Sequence, residues 1–255
     1  MTPNGIGTAA LAGVASFAAP AAMTAEELLR TIASYEYGQT RVPLLVAEEW
    51  VRMNLDSELN RRGVAFALAG ILEGNATKDG KQFVCRQLAV IGSEENLPAL
   101  APLLLDAETA DMARYAIQRM PGAKADTVLL DALDKAAASA VPGIINSLAD
   151  RRTVAAVDPL TARATGDDAV AAECAIAALG KIGGLDAAKA LDKLKGNVDP
   201  SLERAVSDAQ LLVAEDLVAS GDKDGAVKIY TALASNGEEA PVQTAAKLGR
   251  EAARM

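Results

Sequence analysis

Arg86, Arg114, Tyr115 and Arg119, with Asn146 further along, are the side chains whose types and spacing point to recognition chemistry. A guanidinium is a planar fork of donors that matches a carboxylate. Arg and Tyr are also the residue types that most often anchor one protein on another. Such a set would offer planar donors and a rigid aromatic to a partner carrying carboxylates. The competing expectation is structural: each arginine satisfies a capping Asp or a helix C-terminus in a neighbouring unit.

Catalytic chemistry has far less to work with. The chain has no histidine, which removes the commonest general base and the commonest transition-metal ligand. Its two cysteines, Cys85 and Cys174, form no CxxC pair and each lies in an apolar run, where a free thiol packs as a small hydrophobe. The acidic doublets Glu48-Glu49, Glu94-Glu95, Asp167-Asp168 and Glu238-Glu239 do not converge, because adjacent residues on a helix point about 100° apart. They suit helix starts and solvated faces. Asp222-Lys-Asp-Gly225 resembles a fragment of a calcium loop but lacks the distal Glu, and reads as a turn. No glycine-rich phosphate loop follows a strand. The expectation is a protein that is not an enzyme, with no metal and no cofactor.

Composition points the same way. Of 255 residues, 51% are hydrophobic but only 3% aromatic, so the core must be built from Ala, Leu, Val and Ile. Alanine is the best helix former and strand-favouring aromatics are scarce, which predicts an all-α fold. The net charge of −9 opposes nucleic-acid binding, which draws on clustered Lys and Arg. An enzyme acting on nucleic-acid bases would further need aromatic stacking residues. Residues 1–23 contain an apolar run, 9–19, and Ala19-Pro20-Ala21, which matches a cleavage site, but no Lys or Arg precedes the run. They read as an export signal with one part missing, giving a periplasmic or secreted protein, or else as a disordered tail of a cytoplasmic one. The run is too short to span a bilayer.

The elements that must position the arginines are clearest in Asp167–Gly196, which reads as two helices and a break. Asp167 or Asp168 is placed to N-cap the first helix, Gly183-Gly184 to end it, and Asp186 to cap the second. Lys193 and Lys195 fall in the last turn, before Gly196. Aligning the ends of first helices gives anchors at Ile91, Met120, Leu148 and Ile182, spaced by 29, 28 and 34 residues. Each is followed by a break and a second apolar run: Leu97–Leu105, Val128–Leu133, Val154–Leu160 and Ala187–Leu194. A helix–turn–helix period near 30 is the signature of an α-solenoid, whose units bury their apolar sides only against neighbours. Leu179, Ile182 and Leu191 are expected in the core. Arg86 and Arg114 stand five and six residues before their anchors, so they are expected to project from neighbouring repeats toward one face. Upstream, Thr24-Ala-Glu-Glu27 is a capping box, and a second helix is expected from Arg41 to Met53 with Pro43 in its first turn. Downstream, residues 199–255 are expected to hold a long helix to Ser220, a shorter one to Leu233, and a last from Pro241.

The segments AAECAIAALGKIGG (171–184) and QLAVIGSEENLPALAPLL (87–104) resemble the HEAT-repeat family, and within it the short bacterial repeats called PBS-lyase HEAT-like. The resemblance covers about residues 60–196, with 24–59 as an opening pair. Residues 199–255 carry a hairpin similar to a tetratricopeptide unit, placed to cap the array. The resemblance implies a right-handed superhelix of antiparallel helix pairs that binds another protein as a scaffold or adaptor. Some family members assist bilin attachment, so a lyase-like or chaperone role toward a chromophore-bearing protein is the implied alternative. Family repeats often carry stacked Asp–Arg ladders. Here Asp111, Arg114 and Arg86 are the nearest matches, while Ala171 and Ala172 stand where the ladder would continue.

Overall fold

A computed structural model of the chain describes residues 23–235 and 238–254. The N-terminal run read as an export signal lies outside the described residues. Among the described residues the protein is all-α and contains no strand. The chain forms two compact units, divided between Ala140 and Val141.

The first unit holds α1 (Ala25–Ala33), α2 (Val42–Met53), α3 (Glu58–Leu72), α4 (Lys78–Ile91), α5 (Leu97–Leu100), α6 (Ala110–Arg119) and α7 (Ala123–Leu133). The expected capping box starts α1: Glu27 N–H donates to Thr24 Oγ1 at 3.2 Å and Thr24 N–H to Glu27 Oε2 at 2.9 Å. The second apolar run of the first repeat is not one helix. Pro102 lacks the N–H that would continue α5, and the chain tightens into a 3₁₀ segment, Ala101–Leu105. Helices pack on their sequence neighbours, α3 on α4, and α4 also packs along α6.

The second unit holds α8 (Val141–Asp150), α9 (Val157–Ala164), α10 (Ala169–Ile182), α11 (Gly184–Leu194), α12 (Glu203–Ser220), α13 (Lys223–Leu233) and α14 (Ala240–Arg254). First helices stack on first helices, α8 on α10 on α12, and second on second, α9 on α11. This is the sequence-order stacking of a solenoid. Residues 199 onward join it through α12, which packs on both α10 and α11. The Asp222 segment is a helix start, with Gly225 N–H donating to Asp222 Oδ1 at 2.9 Å.

Every anchor is buried: Ile91, Met120, Leu148 and Ile182, as are Leu179 and Leu191. Asp168 caps α10 as expected, accepting from Val170 and Ala171 N–H at 3.1 Å each. Asp186 does not cap α11. The helix begins two residues earlier, at Gly184, and Asp186 instead bonds Lys189 at 3.2 Å. The cap comes from Asp216 on α12, whose Oδ2 accepts from Gly184 N–H at 3.0 Å while its Oδ1 pairs with Arg152. Gly183, at φ 71°, turns the chain between the two helices in the left-handed region.

Stacking of first helices depends on a close approach at Gly180. A Cβ there would sit 2.9 Å from Ala209 Cα on α12, a distance that backbone must move to relieve. Gly180→Leu should therefore push α10 from α12 and cost roughly 1–3 kcal/mol or more. Faster hydrogen exchange of α10 and α12 amides is the expected readout. Gly74→Ala, whose added Cβ meets nothing nearer than 3.7 Å, should leave exchange as it is.

Candidate functional site

The α4–α6 pair builds the site. The two helices run parallel and in register: Lys78 Nζ lies 3.9 Å from Glu108 Oε2 where they begin. Where they end, Gly92 abuts Met120. Between them lies an open depression of about 440 Å³, lined by Lys78, Gln82, Cys85, Arg86, Met112 and Tyr115 among others.

Three of the residues singled out in the sequence meet in this groove. Arg86 is exposed on its α4 wall and, among the described residues, has no hydrogen-bond or ion-pair partner. Arg114 and Tyr115 line the opposite wall. Arg114 is engaged on its own helix, Nε donating to Asp111 Oδ1 and Nη1 to Gln118 Oε1, both at 3.3 Å. Tyr115 is 41% exposed. Arg119 lies over its ring, 3.8 Å from the centroid, and donates Nη1 to Tyr115 O at 3.1 Å. That stack fixes the aromatic in place. Arg119 itself borders a second depression of about 530 Å³, which also takes in Arg61, Arg62 and Val90. Asn146 stands exposed on α8 of the second unit.

Gln82, Met112 and Lys78 escaped the sequence reading. The signal for two of them was present: Lys78, Gln82, Arg86 and Val90 recur every fourth residue, one face of a helix.

Several other charges around the two depressions hold repeats together. Arg62 grips Glu95 with two parallel bonds, Nε to Oε2 at 3.0 Å and Nη2 to Oε1. At the start of α7, Glu94 accepts from Lys124 N–H at 3.3 Å and pairs with its ammonium at 3.2 Å. These bonds, the ammonium first, hold the Glu94 carboxyl below its ordinary value of 4.5. The thiol of Cys85 forms part of the groove floor, and burial pushes its pKa up to about 12, against a smaller opposing pull from Lys81. Among the described residues no group of three or more Cys, Asp or Glu side chains could hold a metal ion. No described helix is long and apolar enough to cross a membrane. No protein-family model matches the chain, and no curated protein matches it either.

Two outcomes follow from these surroundings. At pH 8 a thiol with a pKa near 12 is thiolate in about one molecule in ten thousand. Cys85 should therefore resist alkylation in the folded protein while the half-buried Cys174 reacts first. Mass spectrometry showing equal labelling rates would mean that Cys85 is not held as described. Glu94 is depressed in the folded state, so its contribution to stability is full above 4.5 and is lost as pH falls below it. Glu94→Gln should flatten the acid limb of a pH series of unfolding midpoints.

Proposed function

We propose that this protein is a non-catalytic scaffold or adaptor built from HEAT-like repeats, which binds another protein through the exposed face of its first helices. The observation that carries the reading is Arg86. It is an arginine left without a partner in a groove whose other charges are largely paired, facing a tyrosine pinned by Arg119. Tyr115, held by Arg119, loses little conformational freedom on association, which favours it as an anchor beside Arg86. Arg114 belongs to the framework of this surface, because its guanidinium is already committed to Asp111 and Gln118.

The two arginines should separate on mutation. Arg86→Ala should leave thermal melting unchanged, since no bond is lost. Arg114→Ala should lower stability by up to about 1 kcal/mol, the usual worth of such partly exposed contacts. For binding, a photo-crosslinking amino acid at Gln82 should yield a discrete protein adduct in the source cell, and adding Arg86→Ala should abolish it. If crosslinkers scanned over the exposed faces of both units give no protein adduct at all, the scaffold reading is wrong.

A further inference from the structure

We infer that the α4–α6 groove is a track for an extended, acidic peptide segment of the partner, with one carboxylate seated on Arg86. The inference rests on the scaffold reading above and adds the occupant's chemistry and conformation.

The two depressions follow one another along α4 as a single path. The first lies between α4, as far as Arg86, and α6; the second lies between the end of α4 and Arg61 and Arg62 of α3, and the Tyr115–Arg119 stack stands where they adjoin, Tyr115 lining the first and Arg119 the second. α4 has 14 residues, so at ~1.5 Å per residue the path is ~21 Å long. An extended chain advances ~3.3 Å per residue, so about six residues fill it. The spacing of the α4 wall supports the same conformation. Lys78, Gln82, Arg86 and Val90 project in a row at four-residue intervals, ~6 Å apart along the axis. Alternate side chains of an extended peptide lie ~6.6 Å apart on one face. Each inward side chain of such a segment therefore meets one member of the row. A bound helix would instead present apolar anchors at i, i+3 or i+4, and i+7. The row offers three polar donors and one apolar position, Val90, which is 64% exposed.

The charge selects the sign of the occupant. The chain carries −9 overall, yet α4 has Lys78, Lys81 and Arg86 against Asp79 alone. Asp79 is already occupied, accepting from Tyr37 N–H at 2.9 Å. The opposite wall carries Glu108 and Asp111, but Glu108 pairs with Lys78 and Asp111 with Arg114, so the unbalanced charge of the first depression is Arg86, a positive point in an acidic protein. Arg86 provides five unspent donors in a planar fork, the geometry that a carboxylate fills with two parallel bonds. A nucleic acid fits less well. It needs a run of phosphate contacts and open aromatic faces, and here one face of Tyr115 is covered by Arg119.

An array of immobilised random hexapeptides probed with the full chain tests the inference. Selected peptides should be enriched in Asp and Glu at alternate positions, with an apolar residue toward one end. Arg86→Gln should weaken those peptides at least tenfold, and Arg86→Glu should switch the selection toward Lys and Arg, both without a change in melting. No acidic enrichment, or the same peptides selected by Arg86→Glu, would overturn the inference. So would equally strong displacement of the selected peptides by a uridine hexanucleotide. The scaffold reading is judged separately by the crosslinking scan: adducts that form away from α4 and α6 would keep the scaffold and reject this groove.

Discussion

An alanine-rich helix pair has no interior of its own, and this constraint orders everything else in the protein. With aromatics at 3% of the chain, buried rings such as Trp50 and Phe83 fill few of the spaces between helices, so most helices must come close enough for small residues to touch. At Gly180 and Ala209 the approach of α10 to α12 leaves no room for a single extra carbon. Dispersion falls away steeply with a gap of even half an ångström. Each pair is thus held by how tightly it meets the next, and the surface left over is shaped by that stacking.

Close apolar stacking says little about register, because small side chains slide past each other without much penalty. Polar bonds one repeat apart supply it. In the first unit Lys78 meets Glu108, Arg62 meets Glu95 and Lys124 meets Glu94, separations of 30, 33 and 30 residues. In the second, Lys181 on α10 meets Asp150 on α8, 31 residues apart, and Gly184 N–H meets Asp216, 32 apart. Each exposed pair contributes little by itself, about 0–1 kcal/mol. Their common spacing matters more than their strength: a slip by one helical turn would break them together.

The local parts of this scheme were legible in the sequence. Thr24 with Glu27, Asp168 before an apolar run, and Ile91 or Ile182 closing a helix are patterns within a few residues, and each is formed by bonds of that range. Much of what reaches across a repeat was not legible, although Arg86 and Arg114 do line one groove from neighbouring first helices. Asp186 had every local mark of a cap, yet Asp216 took the role from the next first helix. For a polar ladder the family resemblance pointed to Asp111, Arg114 and Arg86. Arg114 bonds Asp111 and Gln118 on its own helix, and Lys78, Arg62, Lys124 and Lys181 form ion pairs across repeats. A charge in a sequence does not announce which of several carboxylates one repeat away it will face. The groove was half visible for the same reason. The residues of one wall recur at four-residue intervals on α4, but their juxtaposition with Tyr115 depends on the α4–α6 register.

That register also explains why Arg86 is left over. Lys78, Arg62 and Lys124 lie at or near helix ends, where the turn of a neighbouring repeat brings a carboxylate within reach. Arg86 lies mid-helix, eight residues into α4 and opposite the body of α6. The side chain across the groove there is Tyr115, one turn beyond Asp111, which already bonds Arg114. Stability does not require a cation at that place, since an exposed Gln or Ala would fold equally well. Nor does it require an exposed aromatic whose ring is held by a second arginine. Neither is called for by the fold, and their presence side by side in one groove is what the proposed binding role rests on.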